Sequence, residues 1–268
     1  MLRRIRKDAG LSGESLATAL SVSQSHLSRV ELGDTAAGLE LVGRWVQECG
    51  AGTDDRAAAT ELAESVTVEF TTWRSAMASG LPAIQREIAA AEAAAATRCA
   101  WVPMLIPGLL QTASYTHELI TGKYPDREDV AEAVAARMQR QTILYERGKT
   151  LRWVIGEAGL RWQVATPDVM AAQLDRLAML AAEPHLDIRV LPFINTGPVW
   201  HDHGFMIRGD RDDGQPDLVN VELLTGPANI TEPSEVAEYR RAYERLAELA
   251  LRGQDAVAFI RQLMVELR

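Results

Sequence analysis

The feature that most constrains the fold is a series of short helical segments in the first fifty residues, each bounded by residues typical of helix ends. The first segment ends at Gly10, a residue suited to the left-handed conformation that follows many helices. The second begins after Ser12 and the third after Ser23, because serine side chains cap the free N–H groups at helix starts. The third segment stops at Gly33, and a fourth ends before Gly50. Together they predict a small all-α unit over residues 1–52.

The third segment, SVSQSHLSRVELG (residues 21–33), has one polar and one apolar side. Leu27 and Val30 lie on the apolar side, and Val22 can pack on Leu27 to fix the angle at which the chain enters the helix. A rotation of about 100° per residue brings four polar side chains into one arc of about 140°: Gln24, Ser25, Ser28 and Arg29. Glutamine can pair with the edge of adenine and arginine with that of guanine. Taken alone, the pattern fits either a helix that reads a DNA major groove or a helical bundle with one solvated face.

The net charge of −9 does not exclude nucleic acid as a partner, because the charge is unevenly placed. Residues 1–33 hold five basic and three acidic residues, a local balance of +2. Residues 1–50 hold six of each, so the whole acidic excess lies beyond residue 50. Phosphates respond to the local field of the docking surface rather than to the total charge. The local excess is small, so we expect weak non-specific affinity.

Residues 2–50 resemble the phage-repressor-like (XRE) family of helix-turn-helix domains in order and spacing. The resemblance rests on Leu11-Ser12, Leu16-Ala17, Val22-Ser23, Leu27-Ser28-Arg29, Glu31 and Gly33. It implies a lambda-repressor-like fold in which Arg6 pairs with Glu31. It also implies a DNA-binding set in which four residues face the major groove and two contact phosphates at helix starts: Gln24, Ser25, Ser28 and Arg29, then Ser12 and Ser23. Gly13 stands where the family often has glutamine, so one contact to DNA is absent.

The sequence pattern of residues 56–268 predicts a mixed α/β (α+β) domain that is helical over 56–97, mixed over 98–230 and helical over 234–268. A stripe at spacings of three and four predicts one long helix through Leu62, Val66, Phe70, Trp73 and Met77. Alternating apolar residues predict strands at 151–155, 186–192, 204–208 and 217–223.

This larger part is similar to the C-terminal domain that follows phage-repressor-like heads in many actinobacterial regulators. Four motifs carry the resemblance: WVPMLIPGLLQTASY (101–115), AARMQRQTIL (135–144), GEAGLRW (156–162) and VMAAQLDRLAML with LDIRVLPF (169–193). Members are often encoded beside a small partner protein and are described as antitoxin-like or developmental regulators. The resemblance therefore implies a protein partner.

Several residues of this domain are candidates for binding. The stretch IPGLLQT (106–112) predicts a Pro-Gly turn and a helix capped by Thr112, a structural corner rather than a ligand site. Arg137, Arg140 and Gln141 share one helical face and could clamp an anion or pair with acids, of which surface pairing is favoured. Glu157 follows a strand and could point inward, but no partner is evident that would make it an acid or base.

The segment WHDHG (200–204) offers His201, Asp202 and His203 as possible metal ligands. The glycines and proline around it favour an exposed loop, so no metal site is predicted, and no cofactor is predicted either. The motifs GxSxG, GxxxxGK, HExxH and GxGxxG do not occur, which argues against an enzyme. Two distant cysteines and the lack of an apolar run of about 18 residues favour a cytoplasmic chain with reduced thiols.

The sequence therefore predicts a sequence-specific transcriptional regulator that binds double-stranded DNA as a homodimer. Its larger domain is expected to bind an effector or a partner protein. The alternative is an antitoxin-like interaction protein that sequesters a small partner and binds DNA for autoregulation.

Overall fold

A computed structural model describes residues 1–33, 37–65, 68–70, 80–194, 197, 203–211 and 217–267. These residues form two compact units, Met1–Phe70 and Thr71–Arg268. The predicted fold class, a helical head followed by an α+β domain, is confirmed.

The described residues of the first unit form five helices and a short strand. They are α1 (Leu2–Asp8), α2 (Gly13–Leu20), α3 (Gln24–Leu32), α4 (Leu39–Glu48), α5 (Thr53–Ser65) and β1 (Val68–Phe70). Leu16, Leu20 and Trp45 are fully buried at its centre, because each short helix turns its apolar side inward.

Helix α5 packs within this first unit. Its Ala59 and Ala63 are buried against Ile5 of α1 and against Val42 and Val46 of α4. The unit therefore continues to Phe70, whereas the sequence placed the end of the head at residue 52.

The predicted long helix through residues 62–77 is wrong over its described part. Helix α5 ends at Ser65, β1 follows at Val68–Phe70, and Leu62 is exposed. The reason lies in the run SVTVEF, whose β-branched residues favour an extended chain over a helix. Val66, Trp73 and Met77 lie outside the described residues.

The second unit alternates helices and strands. Its helices are α6 (Leu81–Ala93), α7 (Ala113–Lys123), α8 (Val130–Arg140), α9 (Glu157–Arg161), α10 (Pro167–Ala181), α11 (Pro233–Leu249) and α12 (Gly253–Glu266), with 3-10 turns at Gly108–Leu110 and Gln141–Tyr145. Its strands are β2 (Ala95–Val102), β3 (Thr150–Gly156), β4 (Leu186–Leu191), β5 (Phe205–Arg211), β6 (Leu218–Leu223) and β7 (Gly226–Ile230). The four predicted strands are confirmed as β3 to β6. The predicted helical stretch runs three residues too far, because β2 begins at Ala95.

These six strands form a mixed sheet in the order β7-β6-β5-β2-β3-β4. Strands β2, β3 and β4 are parallel, with Trp101 opposite Val154 and Val154 opposite Arg189. Strand β2 is antiparallel to β5, with Arg98 directly opposite Arg208, and the β5-β6-β7 pairs are also antiparallel. Strand β2 is therefore the boundary between the two kinds of pairing.

Helices cover both faces of this sheet. On one face Trp153 and Ile188 pack with Leu174 of α10 and Ile260 of α12 in the main apolar core. On the opposite face lies α11, whose Glu244 accepts a hydrogen bond of 2.7 Å from Nη1 of Arg152 on β3. Alternate residues of each strand therefore contact different helices.

Candidate nucleic-acid interface

The two helices of the turn, α2 and α3, begin with serine caps. Oγ of Ser12 accepts from the backbone N–H of Ser15 at 3.0 Å, and Oγ of Ser23 accepts from that of His26 at 3.2 Å. Between the helices Ser21 takes the left-handed conformation, with φ of 56°, which turns the chain sharply into α3. The caps fix where each helix starts and hence where its free N–H groups point.

Helix α3 has the two sides that the sequence predicts. Leu27 and Val30 are buried, whereas Gln24, Ser25 and Arg29 are exposed. Ser28, the fourth residue of the predicted reading face, is partly buried. Within the described residues the side chains of Gln24 and Arg29 form no hydrogen bond, so both are available to a ligand. Their contact with DNA stays a prediction.

The starts of α2 and α3 lie side by side. A Cβ atom added to Gly13, the first residue of α2, would lie 3.9 Å from Nε2 of Gln24. The arrangement therefore brings Ser12 and Ser23 near the same surface as Gln24. Two helix N-termini on one surface form a positive region suited to phosphate.

Arg6 and Glu31 form the ion pair that the family resemblance implies. The Arg6 guanidinium donates to the carboxylate of Glu31 from Nε at 2.5 Å and from Nη2 at 2.8 Å, and Nη1 donates to the carbonyl oxygen of Leu11 at 2.8 Å. The side chains of Arg6 and Glu31 are 11% and 7% exposed. The hydrogen bonds that Arg6 donates to Glu31 raise the pKa of Arg6. The pair joins the first helix to the end of the third and so sets the angle of α3.

Replacing Arg6 with alanine is expected to destabilise the first unit by about 3 kcal/mol, because the buried Glu31 carboxylate loses both hydrogen bonds from Arg6 and keeps only the more distant Arg3, whose Nε lies 3.7 Å away. Amide hydrogen exchange in the full chain should accelerate through α1 and α3. The matched control is Arg4→Ala, which removes an exposed arginine of the same helix whose partners Asp8 and Asp55 are 64% and 36% exposed, so that neither is left buried without a partner. Equal acceleration in both variants would contradict a special role for Arg6.

The stretch 106–112 is a structural corner, as predicted. Thr112 caps α7 by accepting from the N–H of Tyr115 at 3.3 Å. The buried amide of Gln111 donates to the carbonyl of Ile106 at 2.7 Å, and that of Gln173 donates to the carbonyl of Leu110 at 2.9 Å. Buried amides thus satisfy the turn's backbone.

The favoured surface pairing of Arg137, Arg140 and Gln141 is wrong, because their shared face points into the protein. Arg140 donates to the carboxylate of Glu92 from Nε at 3.1 Å and from Nη2 at 2.9 Å. Nε2 of Gln141 donates to the carbonyl oxygen of Gln111 at 2.6 Å. Helix α8 lies against α6, so a polar helical face that the sequence placed in solvent is covered.

Two buried arginines of the sheet, Arg98 on β2 and Arg208 on β5, were not identified from the sequence. Arg98 and Arg208 are 7% and 8% exposed, and Arg98 donates to Glu92 at 2.5 Å. A signal was present in the alternation along β2, since Arg98 shares a strand face with the apolar Ala100 and Val102. An arginine on the core face of a buried strand needs a partner there.

Two other predicted candidates have structural contacts. Glu157 is buried and accepts from Nε of Arg161 at 2.5 Å and from the N–H of Phe193 at 2.8 Å, which ties the segment after β4 to α9. Nε2 of His203 lies 3.1 Å from Oη of Tyr239. His201 and Asp202 lie outside the described residues, so their role as metal ligands stays open.

In the part of the chain that the structure describes, no three His, Cys, Asp or Glu side chains cluster so as to hold a metal ion. Over the same residues, no helix is both long and apolar enough to cross a membrane.

Comparisons with known proteins match two separate stretches of the chain. Residues 1–59 match the model of a helix-turn-helix domain, and residues 85–262 match the domain of unknown function DUF5753. A search of curated proteins finds no match. Among solved structures, the archaeal chromatin protein TrmBL2 aligns with 90% of this chain and 88% of its own at 13% identity. Its TM-score of 0.34 is too low to establish a shared fold. The chain therefore belongs to the DUF5753 family and carries a helix-turn-helix DNA-binding domain ahead of the region that defines the family.

Proposed function

We propose that this protein is a sequence-specific transcriptional regulator of the phage-repressor-like type, whose second unit binds an effector or a partner protein. The observation that carries the proposal is the surface of α3, where Gln24 and Arg29 are exposed and without intramolecular hydrogen bonds among the described residues. Glutamine and arginine make the bidentate contacts that distinguish adenine and guanine in the major groove. The protein acts by binding rather than by catalysis, and its place is the cytoplasm, where DNA is accessible.

The regulator acts as a homodimer in this proposal. A single head presents one short helix to the groove and carries a local charge of only +2 over residues 1–33. Two heads bound to half-sites about 34 Å apart, or a multiple of that distance, would add their contacts on one side of the duplex. We therefore expect a two-fold symmetric operator.

Selection from a random DNA library by the purified full chain tests this function. The expected result is an enriched motif of two inverted half-sites, with centres about 10 to 10.5 base pairs apart or a multiple of that spacing. Mobility shifts with the selected site and a scrambled site then measure specificity at a stated salt concentration. If no motif is enriched, the protein is not a sequence-specific regulator.

Replacing Gly13 with glutamine is expected to strengthen operator binding about three- to ten-fold, the effect of one added hydrogen bond. The new amide would extend from a Cβ position 3.9 Å from Nε2 of Gln24, beside the proposed phosphate-binding helix start. The control is Gly13→Ala, which gives at least as large a gain in helix propensity without the amide. Fluorescence anisotropy with labelled operator measures both. Equal affinities for the two variants would show that the amide makes no contact.

A second candidate function is that of an antitoxin-like protein whose main role is to sequester a small protein. The observation that favours it is the exposure of three large apolar side chains of the second unit, Trp162 at 55%, Phe193 at 65% and Ile194 at 92%. Exposed apolar groups of this size are typical of protein interfaces. Purification from the native host distinguishes the two functions, because a stoichiometric small protein would favour sequestration.

A further inference from the structure

A cleft opens in the second unit where strands β3 and β4 begin. One side is formed by the end of the 3-10 turn Gln141–Tyr145 and the turn that leads into β3, and the other by the residues just before β4. Its volume is about 320 Å³, which is enough for a small molecule. The floor is apolar, because Leu144, Leu151 and Leu186 line it and are buried. We call this feature the strand-start cleft.

The opposite ends of the same strands are closed beside β3. Ligands of open α/β sheets usually bind at the carboxyl ends of parallel strands. Here the loop after β2 occupies that position: a Cβ atom added to Gly156 would lie 2.6 Å from the carbonyl oxygen of Pro103, and one added to Gly159 would lie 2.9 Å from the backbone nitrogen of Leu105. The chain therefore leaves no room for a ligand next to these two glycines, whereas the strand starts are open.

Two aromatic rings stand at the rim of the strand-start cleft. The ring centroids of Tyr145 and His185 are 6.2 Å apart, and the rings are tilted by 46°. Nε2 of His185 donates to the carbonyl oxygen of Leu144 at 2.9 Å, and Nη2 of Arg176 donates to Oη of Tyr145 at 3.4 Å. Tyr145 is nevertheless 59% exposed. Two hydrogen-bonded rings beside an apolar floor form a surface on which a flat ring can stack.

A guanidinium group at the same rim is free to bind a ligand. Arg147 lines the cleft and is exposed, and its side chain forms no hydrogen bond or ion pair with the described residues. The acids nearby are Glu146, which also lines the cleft, and Glu183, which lies 3.8 Å from Nδ1 of His185; both are exposed to water. A carboxylate that binds Arg147 through paired N–H donors would therefore break no existing ion pair.

Lys149 adds a second positive charge to the lining. It is partly buried, and its ammonium group donates to the carbonyl oxygens of Ala93 and of Ala95, the latter at 3.0 Å. These two carbonyls lie at the end of α6 and the start of β2. They hold the ammonium group in place, so an anion in the cleft is attracted by a charge that is already positioned.

We propose that the strand-start cleft binds a small aromatic carboxylate, with its ring against Tyr145 and His185 and its carboxylate on Arg147. This inference rests on the effector-binding part of the proposed function. Its test measures binding without DNA, so a failure here leaves operator recognition intact. Conversely, a failure of operator selection leaves binding in the cleft intact.

The experiment measures the binding of three probes to the purified full chain by saturation-transfer NMR and isothermal titration calorimetry. The probes are benzoate, benzyl alcohol, which keeps the ring without the charge, and cyclohexanecarboxylate, which keeps the charge without a flat ring. Benzoate is expected to bind one site per chain with a Kd of roughly 0.1 to 1 mM, as suits so small a ligand. The other two probes should bind at least about ten-fold more weakly.

Four variants locate the binding. Arg147→Gln and Tyr145→Ala should each weaken benzoate binding about ten-fold or more, since one loses the charge and the other the ring. Tyr145→Phe keeps the ring and should bind as the unchanged chain does. Arg245→Gln, at an exposed residue of α11 that does not line the cleft, should also leave binding unchanged.

Several results would overturn the proposal. One is the absence of benzoate binding up to about 10 mM, well above the expected Kd. Equal binding of benzoate and either of the other probes would show that the charge or the flat ring contributes nothing. Equal binding by Arg147→Gln and the unchanged chain would place the anion elsewhere. Because both rim residues are exposed, the variants should stay folded, which an unchanged circular dichroism spectrum verifies.

Discussion

Alanine at both Gln24 and Arg29 is expected to weaken binding to the selected operator by roughly 100- to 1,000-fold. Each residue can make one bidentate base contact worth about 1–3 kcal/mol, and the double variant loses both. Both side chains are exposed and form no hydrogen bond among the described residues, so their loss should leave the head folded. Affinity for scrambled DNA should change far less, since it depends on phosphate contacts.

The measurement is fluorescence anisotropy with operator and scrambled duplexes, accompanied by far-UV circular dichroism. The matched control is Gln47→Ala/Arg56→Ala, which removes the same two residue types from exposed positions on α4 and α5. It should retain operator binding. Unchanged operator affinity in the Gln24→Ala/Arg29→Ala chain would show that α3 does not read the DNA.

Replacing Glu92 with alanine is expected to destabilise the second unit by about 3–5 kcal/mol, because it leaves Arg98 and Arg140 buried without their carboxylate. Glu92→Gln should be destabilising in the same direction, since it keeps the shape and removes the charge. The control is Glu87→Ala, an exposed glutamate of the same helix. Urea unfolding measures the loss of stability, and amide hydrogen exchange over α6, β2 and α8 locates it. A similar loss of stability in Glu87→Ala would mean that any substitution in helix α6 destabilises the unit, and that the buried charge of Glu92 is not the cause.

The same carboxylate gives the stability a pH dependence. Burial by itself would raise the pKa of Glu92, but the charges of Arg98 and Arg140 outweigh burial and hold it below its ordinary value. Since the folded value is depressed, this stabilisation is fully present above the unfolded pKa of about 4.3 and is lost as the pH falls through the folded value. Glu92→Gln should therefore remove part of the acid sensitivity of the second unit.

The head was predictable from its sequence because its decisive signals are local. Ser12, Ser23 and Gly33 mark helix ends within a few residues of the groups they satisfy, and the structure has caps at these positions. The four predicted strands of the second unit were also local patterns, read from alternation. Strand β7 was missed because Gly226 and Pro227 are unfavourable in strands, and its pairing with β6 overrides that preference.

The burial of Arg98, Arg137, Arg140 and Arg208 near Glu92 could not be predicted in the same way. Arg137 and Arg140 have the spacing of an ordinary solvated helical face, and the packing of α8 on α6 buries Arg140 and partly buries Arg137. Arg98 and Arg208 are far apart in the sequence and become neighbours through the register of β2 with β5. A periodic pattern gives the face on which a residue lies, but not what covers that face.

The position of β2 between two kinds of pairing has a consequence for how the second unit assembles. Strands β6 and β7 are joined by a two-residue turn between Leu223 and Gly226, so their pairing closes a very short loop. Strand β2 instead pairs with β5 across more than one hundred residues of chain, which costs more conformational entropy. The β6-β7 hairpin can therefore form early, whereas closure of β2 onto β5 comes late in folding. Because that late step also brings Arg98 beside Arg208, these two buried arginines become neighbours only when β2 closes onto β5.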